Sequence, residues 1–164
     1  MDIIEVVCAI FLNDKGEFLV FERGDNMSFS RLFEFPGGKV EALETKEEAL
    51  KREIKEELQS EIRIKSYFTS VVHTYTKTKI NREMTINLNA YFVELTSGSL
   101  TLTEHKSKRW IRIDDADSIN LAYADKIIVE RLKNYLNKDK KLWFFDKITI
   151  FYKWQLKNDI INSS

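Results

Sequence analysis

The chain has 164 residues, and 26 Lys plus Arg balance 26 Asp plus Glu, so it carries no formal net charge. That length suits one core-forming domain, and the neutral balance lacks the basic excess by which proteins hold polymeric DNA or RNA. Charged residues at 32% and apolar residues at 43% exclude a disordered or fibrous chain, and no apolar run has the length of a membrane span.

The first run, IIEVVCAIFL, and the second, EFLVFER, flank NDKG, where Asn13, Asp14 and Gly16 supply turn chemistry. This pattern predicts a β-hairpin. Cys8, the only cysteine, lies in the first run as a small buried thiol, so no internal disulfide can form. A reducing, cytoplasmic compartment is expected, since the start MDIIEVV also lacks the basic region of a secretory signal. After the polar stretch GDNMSFS, the run FEFPGGKV joins the only proline to two of the five glycines and predicts a sharp backbone excursion.

In TKEEALKREIKEEL, Thr45 stands three residues before Glu48, the signature of a capping box. A helix is predicted from Thr45 to about Leu58, with Ala49, Leu50, Ile54 and Leu58 as its buried stripe. The β-rich runs EIRIKSYFTSVVHTY, TINLNAYFVEL and RWIRI follow, separated by TKTKINRE and TSGS. In AYADKIIVERLKNYL, residues Ile127, Ile128, Leu132, Tyr135 and Leu136 form the face of a second helix. Two helices among these strands predict an α+β (mixed α/β) fold, with a mixed, largely antiparallel sheet between helices.

Glu53, Glu56 and Glu57 stand at i, i+3 and i+4 of the first helix and leave it on one face. Like charges at this spacing cost a few tenths of a kcal/mol per pair, so folding alone does not favour them. The cluster reads either as a solvated helix face or as a site for a hard cation such as Mg²⁺, which takes oxygen ligands and bridges carboxylates to phosphates.

The context upstream favours the cation. Gly38 is followed after five residues by Glu44, and after seven more by Arg52 and Glu53, then Ile54, Lys55, Glu56 and Glu57. This spacing closely resembles the Nudix box of hydrolases that act on nucleoside diphosphates linked to another group. FEFPGGKVE, EHKSKRW and LAYADKIIVERL resemble further segments of the MutT branch, so the likeness covers about Ile3 to Leu136. Two departures stand out. Gln59 and Ser60 replace the Gly and aliphatic residue that usually end the box, and Leu43 stands where the branch commonly has Gly.

The resemblance implies an α/β/α sandwich and a Mg²⁺-dependent nucleoside triphosphate pyrophosphohydrolase, with Mn²⁺ as a possible substitute ion. An oxidised nucleotide such as 8-oxo-dGTP is the first substrate expected. (d)CTP, ADP-ribose or another nucleotide sugar, and a non-catalytic nucleotide-binding role, are the alternatives. By resemblance, Glu53, Glu56 and Glu57 with the carbonyl of Gly38 hold metal, while Arg52 pairs with Glu44 and braces the loop. The base is Glu53 or Glu56, or Glu104 from outside the box, where an exposed strand-end carboxylate is the plain reading. Arg23 matches a phosphate-binding position, Phe35 a base-lining position and Asp125 a position that reads the base edge. A surface Arg, a core aromatic and a helix-start acid are the respective ordinary readings. His73 and Tyr75 either line the same cleft or simply pack.

A Nudix hydrolase domain is thus expected over residues 1–137. An aromatic-rich extension, 138–164, holds two of the three Trp residues and is expected to pack on that domain or on a dimer partner. The expected partners are a nucleotide substrate and, if the chain is not a monomer, a second copy of itself, with no nucleic-acid polymer and no membrane.

Overall fold

Val7, Ala9 and Phe11 alternate with Cys8 and Ile10 along β1 (Ile3–Phe11), and all five are buried, so this strand is covered on both faces. In the computed structural model, which describes residues 3–25, 31–76 and 83–138, β1 is accordingly an inner strand. It pairs antiparallel with β4 (Gly37–Lys39) and parallel with β6 (Met84–Ser97), and β6 pairs antiparallel with β5 (Glu61–Tyr75), giving the order β4-β1-β6-β5. A second sheet has the order β3-β2-β7, from β2 (Glu17–Glu22), β3 (Phe33–Glu34) and β7 (Ser107–Arg112), all antiparallel. The mixed α+β class expected from the sequence is the class observed.

The expected hairpin between the first two strands forms only at its turn, with Asn13 N–H donating to the Glu17 carbonyl at 3.0 Å, and does not extend into a paired ladder. The turn itself is present: the Asn13 side-chain oxygen accepts from the N–H groups of Lys15 and Glu17, at 3.0 Å each. After a single bridge between Leu12 and Phe18, however, β1 and β2 part into different sheets. A turn specifies a reversal of direction, whereas pairing depends on the partners that cover each strand.

Helix α1 (Lys46–Leu58) lies on the face of the four-stranded sheet that carries Val7, Ala9, Tyr91 and Val93, with Leu50, Ile54 and Leu58 fully buried in that core. Each such side chain contributes roughly 1.5–3 kcal/mol by leaving water. Thr45 caps the helix with both hydrogen bonds of the capping box. At the other end Gln59 takes the left-handed conformation, φ +48°, and donates its N–H to the Lys55 carbonyl. Thr103 donates its hydroxyl to the Glu56 and Glu57 carbonyls at 3.0 and 2.7 Å, and Ser60 Oγ donates to Leu58 O while accepting from Leu100 N. The helix end is therefore satisfied from a loop 40 residues downstream of Ser60.

Leu43 also stands at positive φ, +71°, with its side chain exposed. Left-handed backbone costs a side-chain-bearing residue about 1–2 kcal/mol, while glycine loses roughly 0.5–1 kcal/mol more entropy on folding. Gln59→Gly is therefore expected to raise the unfolding free energy by up to about 1 kcal/mol in urea denaturation. A lower stability would mean that the exposed Gln59 side chain contributes something no contact here accounts for.

By contact the chain divides into two units, Met1–Glu130 and Arg131–Ser164. Residues 123–138 are helical and form α2. In the first unit, Ala124, Asp125, Ile128 and Val129 of α2 are buried, and in the second, Leu132 is buried. Of the expected face, Ile128 and Leu132 are thus buried, whereas Ile127 and Leu136 are only half-buried and Tyr135 is 43% exposed; in the first unit Ala124 and Asp125 are buried in addition. Residues 26–30, residues 77–82 and the aromatic-rich extension beyond Lys138 lie outside the described residues. Among the described residues no helix is long and apolar enough to cross a membrane.

Candidate active site

The Pro-Gly-Gly excursion brings β4 against β1, with Val7 opposite Gly38 and Cys8 opposite Gly37. Contact is so close that a Cβ on Gly37 would stand 2.1 Å from the Val7 carbonyl oxygen, and one on Gly38 would stand 2.3 Å from the Glu53 carboxylate. Only glycine leaves room for that carboxylate over the strand. Glu57, one helical turn further along α1, accepts from the Gly37 N–H at 3.1 Å. The box thus closes on itself, with the glycine strand meeting the glutamates of the helix.

The two inner carboxylates are electrostatically uncomfortable. Burial, then the charges of Glu53 and Glu34, push the Glu57 carboxyl up to about 8, against the opposing pull of the Gly37 N–H. Burial also raises Glu53, opposed by the Arg52 hydrogen bond and reinforced by Glu56 and Glu104. Desolvated oxygens of this kind gain most from a cation. Glu56 is different: its side chain is 59% exposed.

Arg52 makes the forked contact to Glu44, Nε to Oε2 at 3.1 Å and Nη2 to Oε1 at 2.7 Å, and reaches the Lys39 carbonyl at 3.0 Å. Its third nitrogen also engages the other glutamates: Nη1 donates to Glu53 at 2.9 Å and to Glu56 at 3.2 Å. With these carboxylates engaged by Arg52, no three His, Cys, Asp or Glu side chains among the described residues converge closely enough to hold a metal ion. The donor chemistry still suits Mg²⁺, being all oxygen, with Glu53 and Glu57 carrying charge that burial disfavours. Glu104 lies in the loop before β7 rather than on a strand, and its charge reaches both Glu53 and Glu57. The Thr103 clasp on the end of α1 holds it there.

On the opposite face of the sheet from α1, a cleft of about 220 Å³ is lined by Cys8, Glu34, Phe35, Tyr75, Leu88 and Asp125, with Gly37 and Gly38 also lining it. Arg23 also lines it. Phe35 is buried and packs on Phe18 at 5.9 Å between ring centroids. Asp125 is buried and accepts the Phe35 N–H at 2.9 Å. Burial, then the charge of Glu34, raises its carboxyl to about 7. The cleft thus unites the three sequence-predicted substrate residues, Arg23, Phe35 and Asp125, beside the box glycines. Of the two strand residues left open, Tyr75 lines the cleft, while His73 stacks on Tyr123 at 4.3 Å.

Sequence reasoning passed over Glu34. Its Oε2 receives Arg23 Nε at 2.6 Å, its Oε1 faces His105 Nε2 at 3.3 Å, and its charge bears on both Glu57 and Asp125. The signal in the sequence was an acid placed between Phe33 and Phe35 in an apolar run, where a charge needs a partner.

The family model described as NUDIX domain matches residues 3–132. The chain is 36% identical over 133 residues to the CTP pyrophosphohydrolase of Escherichia coli (strain K12), a match covering 79% of this chain and 91% of that protein. It is 46% identical over 56 residues to the 8-oxo-dGTP diphosphatase of Haemophilus influenzae, covering 34% of this chain and 41% of that one. Among solved structures, the solution structure of the E. coli ORF135 protein superposes with a TM-score of 0.67 at 35% identity, over 80% of this chain and 89% of the other.

Proposed function

The chain belongs to the NUDIX family, in its MutT-like branch, and is a nucleotide pyrophosphohydrolase; on that footing we propose that it cleaves a cytidine triphosphate, CTP or dCTP, to the monophosphate and pyrophosphate with Mg²⁺. Glu53, Glu56, Glu57 and the Gly38 carbonyl would hold the ion, which would supply charge neutralisation of the phosphate chain and a more acidic bound water. Holding it requires Arg52 to yield its contacts to Glu53 and Glu56. Arg23 binds the phosphate chain, Arg52 and Glu44 brace the loop, and Glu53, Glu56 or Glu104 takes the proton of the attacking water.

Asp125 carries the choice of base. A carboxyl that keeps its proton to about pH 7 offers at once an acceptor oxygen and an O–H donor. The cytosine edge presents the complement, N3 as acceptor and the N4 amino group as donor. The likeness to a CTP pyrophosphohydrolase over 91% of that protein supports the same reading. A second reading keeps the oxidised guanine nucleotide. Ionised Asp125 accepts two hydrogen bonds and complements the N1–H and N2 amino group of guanine, and the segment shared with an 8-oxo-dGTP diphosphatase supports it.

A panel of CTP, dCTP, 8-oxo-dGTP, dGTP and ADP-ribose, assayed with Mg²⁺ for the wild type and Asp125→Asn, separates these readings. Asn retains one donor and one acceptor, so cytidine turnover is expected to survive within about tenfold, while a substrate that needs the ionised carboxylate loses about 10²-fold. Highest kcat/KM on 8-oxo-dGTP, with loss in Asp125→Asn, would replace cytidine by oxidised guanine. A preference for ADP-ribose would remove the triphosphate reading.

A further inference from the structure

A histidine is buried where an apolar side chain would cost less. His105 precedes β7, its side chain is 1% exposed, and its ring packs at 5.3 Å from that of Phe21 in the core. Its Nδ1 is buried with no hydrogen-bond partner among the described residues. An orphaned ring nitrogen is a cost that packing alone does not offset. What the ring provides is its other nitrogen. Nε2 lies 3.3 Å from Glu34 Oε1, and because a carboxylate only accepts, Nε2 carries the hydrogen. The second oxygen of the same carboxylate takes Arg23 Nε at 2.6 Å, and both Glu34 and Arg23 line the cleft.

We propose that His105 is a positioning residue that, by fixing the plane of the Glu34 carboxylate, orients the Arg23 guanidinium toward the phosphate chain of the substrate. The proposal rests on the reading of Arg23 as a phosphate-binding residue. An arginine on a long side chain binds phosphate well only when its fork is aimed in advance, since aiming it afterwards costs side-chain entropy. Glu34 receives the guanidinium at Nε, and His105, locked in the core, keeps Glu34 from rotating. His105 meets no substrate atom in this arrangement. It acts on binding, through two side chains.

Two polar replacements of similar size discriminate this role from packing. The amide nitrogen introduced by His105→Gln reaches the place of ring Nε2 and can still donate to Glu34, whereas the one introduced by His105→Asn takes the place of Nδ1 and cannot. With Mg²⁺ and dCTP, His105→Asn is expected to raise KM about tenfold and to leave kcat within about threefold, while His105→Gln keeps KM within about threefold of wild type. Because phosphate rather than base is involved, the KM factor for 8-oxo-dGTP should match that for dCTP. Thermal denaturation confirms that both variants are folded. Equal KM values for the two variants would overturn the proposal, as would a fall in kcat at unchanged KM, which marks displacement of neighbouring Glu104. Arg23→Ala is the control for the underlying reading. If it leaves KM unchanged, Arg23 does not bind phosphate and both inferences fall; if it raises KM while His105→Asn does not, the positioning role alone fails.

Discussion

Glu53→Gln is expected to lower kcat by about 10²–10⁴-fold, the range over which a positioned carboxylate contributes as general base or metal ligand. The side chain sits over Gly38 with no room to spare, so the isosteric amide fits where a larger change would not. Its carboxyl is raised by burial, and its nearest cation, Arg52 Nη1, is shared with Glu56. Gln retains the shape and the hydrogen bond from Arg52 but removes the negative charge, which is what a cation and an attacking water both require. Steady-state rates across a Mg²⁺ titration check the expectation. A kcat loss that high Mg²⁺ restores assigns Glu53 to metal binding, and one that persists assigns it to proton transfer. Activity within tenfold of wild type at every Mg²⁺ concentration would remove it from both roles.

In the absence of divalent cation, the protein is expected to lose stability as pH rises from about 5 to 8. Burial pushes the carboxyls of Glu57 and Asp125 up to about 8 and about 7 in the folded state, against about 4 in an unfolded chain. Between those limits the folded state binds more protons than the unfolded one, so the unfolding free energy falls with rising pH. Every tenfold difference in proton affinity between the two states corresponds to about 1.4 kcal/mol, which makes the loss on the order of a few kcal/mol for each group. The lowered carboxyl of Glu5, held by Lys46, works in the opposite sense and loses its contribution only as pH falls toward and below about 4. Mg²⁺ favours ionised Glu57 and is expected to restore much of the loss at pH 8, while Asp125→Asn removes the part that the ion does not reach. Urea denaturation at pH 5, 6.5 and 8, with chelator and with Mg²⁺, measures all three effects. Metal-free stability that is flat or rising over that interval would contradict the burial argument for both groups.

The extent and start of α1 were legible because both are local: the capping box lies within four residues and the apolar stripe within four turns. Where it ends, at about Leu58, was legible too; how it stops was not, since the left-handed Gln59 is accompanied by Thr103 and Ser60 engaging the last carbonyls. The reversal at Asn13 was legible for the same reason as the cap. The ladder it suggested stops at the Leu12–Phe18 bridge, because β2 takes its partners from β3 and β7 rather than from β1.

The candidate site divides along the same line. Spacing alone placed Glu53, Glu56 and Glu57 on one side of one helix, because side-chain direction in a helix follows from residue number. It did not foresee that Arg52 holds Glu53 and Glu56, that Glu57 is drawn inward to the Gly37 N–H, or that Glu34 links Arg23 to His105. Those contacts join residues up to 71 positions apart. The sequence by itself thus determined which carboxylates stand together and the chemistry they suit. The tertiary structure decided how buried each one is, which cation it meets, and so how readily it holds a charge, because desolvation depends on everything packed around a group and not on its neighbours in the chain.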